Sequence, residues 1–300
     1  MATSFSLDSI FDLKDRIAVV TGGGTGIGWM IAQGLATNGA KVYITGRRRD
    51  VLEKSIASFE RKDGFGEIFP IQMDVTSRES ISAVKQELQA KEGKLHILIN
   101  NAGQVGPVSR FFNNLSSPEH ESPEKLGDAL FNNESFEQWA QLYTINSSSI
   151  FFVTTALLGL LAKGSEDNKQ YPSSVVNISS ISGYMKLAQN HFAYNSSKAA
   201  VSHLTKMMAT EFVLKKIPVR VSGIAPGVYE SELTAERLSK GPNSTNIVGQ
   251  GIQPVPADRP GTAQEMVGAV IFLVSPAGGY TNGQEIIVDG SYLAVNPSRI

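Results

Sequence analysis

Tyr194 and Lys198 stand four residues apart in the segment FAYNSSKAAVSHL, whose apolar positions repeat at helical spacing. Four residues is about one helical turn, so both side chains leave the same helix face. An ammonium beside a phenol favours phenolate and lowers the phenol's pKa from about 10. A tyrosine tuned in this way can exchange a proton with an alcohol or carbonyl oxygen near neutral pH. The spacing alone is common among helices, where a solvated lysine stem lying over a tyrosine ring is the bland alternative.

A second group of residues points to a phosphate. Residues 19–28 (VVTGGGTGIG) follow a β-branched run and open an amphipathic helical pattern. Glycines at such a place let the backbone approach a pyrophosphate, which then rests on the positive N-terminus of the helix. The pattern is G-x-x-x-G-x-G on Gly22, Gly26 and Gly28, with Thr25 and Ile27 between them. The G-x-G-x-x-G fingerprint fails, because Ile27 stands where its last glycine belongs. At the end of the next strand a carboxylate would bind the ribose 2′-hydroxyl of NAD. VYITGRRRD offers Gly46 there, followed by Arg47 and Arg48. A guanidinium pairs with a 2′-phosphate that a carboxylate would repel, so NADP(H) is expected rather than NAD(H). The alternative is that these arginines are the solvated first turn of a helix. Asp74, ending the third strand beside Val75, is placed to reach the adenine edge.

The elements that must carry these residues alternate strictly. RIAVVTG, KVYITG, EIFPIQMDV, LHILINN, SVVNIS, PVRVSGIAP and GQEIIVDG read as strands. Helical patterns fall between them, over about 26–39, 50–61, 77–92, 136–161, around Tyr194 and over about 262–274. Such alternation implies an α/β fold: a doubly wound (Rossmann) parallel sheet of about seven strands, in a single domain over residues 1–300. Two segments do not fit as scaffold. Residues 104–134, including NNLSSPEHESPEK, read as a polar, irregular surface insertion. Residues 228–258 read as a substrate lid. Both leave the carboxyl ends of strands, where open α/β sheets bind their ligands.

The bulk properties exclude several classes. A net charge of −1 leaves no electrostatic footprint for nucleic acid. No apolar run comes near the roughly 20 residues of a membrane span, and the opening MATSFSLDSIFDLKDR lacks the pattern of a secretory signal. The chain has no cysteine, so disulfides, thiolate nucleophiles and cysteine-ligated metals are ruled out. The four histidines have no metal-site spacing, and no metal is expected. Six N-x-S/T triplets occur, and secretion would risk glycans at Asn146 and Asn195, beside the candidate chemistry. A soluble, cytoplasmic protein is the economical expectation.

Taken together, TGGGTGIG, NNAG (residues 100–103), Asn146 in YTINSSSIFF, NISS (177–180), YNSSK, the Pro226-Gly227 pair and GQEIIVDG resemble the short-chain dehydrogenase/reductase family in its single-domain form. The resemblance runs from about residue 13 to 293, and the chain also looks like reductases of fungal secondary metabolism. It implies that Tyr194 is the general acid in reduction and the base in oxidation. Lys198 would hold the nicotinamide ribose hydroxyls and lower the pKa of the tyrosine. Ser180 would hydrogen-bond the substrate oxygen, and Asn146 would anchor a water that relays protons through Lys198. Asn101, Ala102 and Gly103 would line the cofactor, and Val228 and Ser231, after Pro226 and Gly227, would hold the nicotinamide carboxamide.

There are two departures from the family pattern. Ser180 to Tyr194 is one position longer than the usual spacing, which an extra residue in KLAQNHF would absorb; Ser179 and Ser182 are lesser candidates. Ser231 stands where the family has threonine. The resemblance further implies a homodimer or homotetramer, since residues 147–161 are apolar on nearly every face. The expected activity is that of a carbonyl reductase or alcohol dehydrogenase acting on a hydrophobic small molecule. Tyr184, Met185, Leu187, Phe192 and Tyr229 are its expected pocket residues. The alternatives are a non-redox isomerase or cyclase on the same scaffold, and a cofactor-binding regulator without turnover.

Overall fold

The computed structural model describes residues 5–230, 253–296 and 298. The β-branched runs form seven parallel strands: β1 (Ile17–Thr21), β2 (Lys41–Gly46), β3 (Ile68–Gln72), β4 (Ile97–Asn100), β5 (Ser173–Ile178), β6 (Val219–Pro226) and β7 (Glu285–Val288). They make one sheet in the order β3-β2-β1-β4-β5-β6-β7. Every residue of β1, β4, β5 and β6 is buried, which is why these strands read as unbroken apolar runs. Strand β1 pairs with β2 on one side and β4 on the other, so the chain order reverses there and a crevice opens at the carboxyl ends.

The helices are α1 (Leu7–Ile10), α2 (Gly26–Thr37), α3 (Arg49–Ala57), α4 (Arg78–Lys91), α5 (Pro123–Asn133), α6 (Phe136–Tyr143), α7 (Ser149–Gly164), α8 (Phe192–Leu214), α9 (Ala263–Val274) and α10 (Tyr292–Val295). On one face of the sheet Ile31 and Leu35 of α2 and Met266 and Val270 of α9 pack on Ala18 and Val20. On the other face Val84 of α4, Leu157 of α7 and Met208 and Phe212 of α8 pack around Val19, Leu98 and Val221. Successive β1 residues thus serve opposite cores, as strand geometry requires.

The structure corrects two expectations and qualifies a third. The helix expected over 136–161 is two helices joined by a π-helical turn, Thr144–Ser148, which carries Asn146. The insertion 104–134 is not irregular throughout. It contains α5, whose start is set by the Ser122 hydroxyl accepting Lys125 N–H and by Pro123 in the first turn. The continuous helical stretch Phe136–Asp167 is long and apolar enough to cross a membrane, with an 18-residue window of mean hydropathy 1.7, but 56% of that window is buried inside this protein. Most of the expected lid lies outside the described residues, and its flanks, Tyr229 and Val255, are buried.

Below the sheet, His96 is buried before β4. Its Nδ1 accepts the Ile17 N–H at 3.0 Å and its Nε2 meets Asp167 at 2.9 Å, so the bonds suit a neutral ring. Burial pushes its pKa below the usual 6.5, with the Asp167 hydrogen bond opposing. The unfolded chain therefore binds the proton more readily, and stability present above about pH 6.5 is lost as the pH falls. Urea unfolding at pH 7.5 and 5.5 should show this loss in the wild type and a smaller loss in His96→Asn. An equal loss in both would contradict the assignment.

Candidate active site

The loop from β1 to α2 is shaped by glycines where side chains cannot go. Gly22 and Gly26 have φ of 63° and 51°, in the left-handed region that favours glycine. A Cβ on Gly28 would lie 2.2 Å from Gly22 O and 2.4 Å from Asn101 Nδ2. Asn101 lines the cleft, but its amide is committed within the protein. It donates to Thr21 O at 3.0 Å and Gly22 O at 3.1 Å, while Thr21 Oγ1 accepts the Asn101 and Ala102 N–H groups. The ends of β1 and β4 are thereby tied together at the crevice.

A cleft of about 390 Å³ runs from this loop in both directions. At one end lie Thr45, Gly46, Arg47, Arg48, Asp74 and Val75; at the other lie Ser180, Tyr194, Lys198, Pro226 and Gly227, with Ala102 and Gly103 between. The residues fit a dinucleotide: a glycine cradle on a helix N-terminus, exposed guanidinium groups beyond β2, and Thr45 Oγ1 buried in the wall without a protein partner among the described residues. Asp74 accepts Thr76 N–H at 2.9 Å and Thr76 Oγ1–H at 2.7 Å. These bonds, helped by the Arg47 charge, hold its carboxyl below the usual range. Arg48 stands at the N-cap of α3, so the helix begins one residue earlier than expected, and Arg49 is paired with Glu53 at 2.8 Å.

At the other end Ser179 and Ser180 both line the cleft, while Ser182 is not among its lining residues. The Ser180 side chain accepts the Ser182 N–H at 3.1 Å and acts on Tyr194, drawing its pKa down against burial. Ser179 is committed elsewhere, to Glu285 and to Ile224 O. In the segment between serine and tyrosine, Gln189 and Asn190 are both left-handed, with φ of 52° and 70°. Tyr194 and Lys198 share a face of α8, as their spacing requires, with Lys198 Nζ 5.8 Å from the centre of the phenol ring.

The electrostatics differ from the expectation. Burial pushes the Tyr194 phenol up, and the opposing influence is the Ser180 hydrogen bond rather than the ammonium. Lys198 donates instead to Ile178 O at 2.9 Å, and burial lowers its pKa to about 8, with the Glu285 charge opposing.

Asn146 is held deep in the site. Its Oδ1 accepts Gln104 N–H at 2.8 Å, and its Nδ2 donates to Gln104 O at 2.9 Å and to Ser197 Oγ at 3.0 Å. Ser197 precedes Lys198, so Asn146 joins the end of β4 to α8. A Cβ on Gly103 would lie 3.1 Å from Asn146 Oδ1 and 3.6 Å from Lys198 Nζ. Gln104, Ser197 and Glu285 were not legible as site residues; glycine at 103 was the local hint of close packing.

Other expected residues fall away from the cleft or outside it. Val228 lines a separate cavity of about 110 Å³, and Ser231 lies outside the described residues. Phe192 turns toward the insertion and meets Phe112 edge-on at 5.0 Å. Tyr184 donates its hydroxyl to Glu285. Tyr229 lines the cleft as expected.

Residues 16–241 match the model of the short chain dehydrogenase family. The short-chain dehydrogenase/reductase PhomF of Diaporthe leptostromiformis is 36% identical over 296 residues, covering 96% of this chain and 95% of that protein. The rhamnolipids biosynthesis 3-oxoacyl-[acyl-carrier-protein] reductase of Pseudomonas aeruginosa is 32% identical, over 94% of this chain and 98% of its own. Among solved structures, the Pseudomonas aeruginosa RhlG/NADP active-site complex superposes with a TM-score of 0.77 at 30% identity, covering 94% of this chain and 98% of that one. The chain belongs to the short-chain dehydrogenase/reductase family of oxidoreductases.

Proposed function

We propose that this protein is an NADP(H)-dependent carbonyl reductase or alcohol dehydrogenase acting on a hydrophobic ketone or secondary alcohol. The observation that carries the reading is the convergence of Ser180, Tyr194 and Lys198 in the same cleft as the phosphate loop and Arg47, with Lys198 Nζ 5.8 Å from the centre of the Tyr194 ring. The nicotinamide, when bound, supplies or accepts the hydride. Ser180 holds the substrate oxygen and stabilises the charge that develops there. Tyr194 gives that oxygen its proton in reduction and takes it back in oxidation. Lys198 holds the ribose hydroxyls and, with a cationic nicotinamide in place, makes the phenolate less costly. Asn146 holds the Gln104 backbone and Ser197 so that Lys198 keeps its place, and Arg47 and Arg48 take the 2′-phosphate.

A hydrophobic substrate is favoured by the acyl substrate named for the Pseudomonas reductase and by Tyr229 in the cleft wall. The likeness to a reductase named for rhamnolipids biosynthesis supports a place in secondary metabolism. Phe151 and Phe152 of α7 remain nearly half exposed, which supports a homodimer or homotetramer packed on this helix. The lack of cysteine and the triplets at Asn146 and Asn195 favour the cytoplasm. A panel of aryl and long-chain ketones, sugars and hydroxy acids assayed with NADPH tests the proposal. Turnover should be confined to the hydrophobic ketones. Turnover of the sugars or acids alone would contradict the substrate class, and no NADPH oxidation across the panel would favour a non-redox enzyme or a regulator.

A further inference from the structure

Glu285 opens β7, two strands away from the strand that delivers Ser180. Its side chain reaches back across β6 at Gly223, with which it pairs. A Cβ on Gly223 would lie 3.1 Å from both Cγ and Oε1 of Glu285, so the missing side chain leaves that path open. The carboxylate then accepts the Ser179 hydroxyl at Oε1 and the Tyr184 hydroxyl at Oε2. Ser179 immediately precedes Ser180. Tyr184 follows the short 3₁₀ turn, Ile181–Gly183, that Ser180 caps. Both ends of the turn that presents the Ser180 hydroxyl are therefore tied to one carboxylate.

The Glu285 charge also acts on Lys198, which is only 5% exposed. Around the ammonium lie Ile178 O from β5, Gly103 from the end of β4, Tyr194 from its own helix and the Glu285 charge from β7. Tyr194 and Glu285 are the ionisable groups of this set, and Glu285 is its one negative charge. A buried ammonium is costly unless an opposite charge and hydrogen bonds compensate it.

We propose that Glu285 is a positioning residue of the active site: it anchors the Ser180 turn through Ser179 and Tyr184 and supplies the counter-charge to Lys198. The catalytic half of this inference rests on the roles proposed above for Ser180, Tyr194 and Lys198. Burial draws the lysine down to about 8, and Glu285 acts against that fall. Without the carboxylate, Lys198 loses its proton at lower pH and the fraction of enzyme with an intact ammonium shrinks near neutrality.

The titration of Lys198 can be read directly by ¹³C NMR of lysine-Cε-labelled protein without cofactor, with the resonance assigned by Lys198→Arg. The wild type should titrate near 8. Glu285→Gln, which keeps shape and an acceptor oxygen, should lower the midpoint by about one pH unit. Coincident midpoints would overturn the inference. The alkaline limb of kcat/KM, measured with NADPH and the ketone turned over fastest in the panel, should move the same way. A fall in kcat by the same factor at every pH would show a structural prop only, and would also overturn it. Gly223→Ala displaces the carboxylate without removing it, and should shift both readouts in the same direction if Glu285→Gln folds poorly. Undiminished turnover by Tyr194→Phe would instead overturn the proposed function, because the NMR midpoint does not depend on turnover.

Discussion

Tyr194→Phe is expected to lower kcat by about 10³-fold while leaving NADPH affinity nearly unchanged, since positioned proton transfer contributes roughly 10²–10⁴-fold. The substitution removes one oxygen and keeps the ring, so the contact with Lys198 and the packing of α8 survive. What is lost is the hydroxyl, the group proposed to exchange the proton. Because burial raises the Tyr194 pKa, the phenol is kept protonated as the acid for reduction. Reduction should therefore hold its rate into mildly alkaline solution, until Lys198, with its pKa near 8, gives up its proton. Oxidation needs the phenolate and should rise with pH. Rapid-mixing kinetics with NADPH, and fluorescence titration for binding, separate chemistry from affinity. A variant that retains its kcat would remove Tyr194 from the mechanism.

The second large effect is on cofactor choice. Arg47→Asp should raise the KM for NADPH by about 10- to 100-fold, since hydrogen bonds to charged groups are worth roughly 1.5–3 kcal/mol and 1.4 kcal/mol is tenfold. The KM for NADH should change little, as it lacks the 2′-phosphate. Arg47 lines the cleft beside Gly46 and Asp74, whereas Arg49 is turned along the helix to Glu53. Arg49→Ala is therefore the control that should leave both values alone. An unchanged NADPH to NADH ratio in Arg47→Asp would show that the arginines are no more than a solvated helix start.

The scaffold was legible because burial on both sides of a parallel sheet leaves unbroken runs such as LHILIN, and because glycines at 22, 26 and 28 have one economical explanation. The Tyr194–Lys198 pair was legible because helical periodicity converts a spacing into a shared face. The start of α5 also carried its signal, a capping serine followed by proline at Ser122 and Pro123, which the polar composition of the insertion masked. The π-helical turn at Asn146 had no such signal, since helical periodicity passes through it unbroken. The electrostatics of the site were hidden for a different reason. That Lys198 would bond Ile178 O, and that burial would dominate the tyrosine, depend on neighbours brought in from β5 and β7. Glu285 was invisible for the same cause: its reach across Gly223 exists only once β6 and β7 are paired.

The central claim is hydride transfer to a carbonyl carbon, with the proton delivered by Tyr194. It is tested most directly by turnover of a ketone with NADPH dideuterated at C4, followed by mass spectrometry of the product. One deuterium should appear on the carbinol carbon of an alcohol, in equal number to the NADPH consumed. A product of unchanged oxidation state, or an alcohol without deuterium, would contradict the claim.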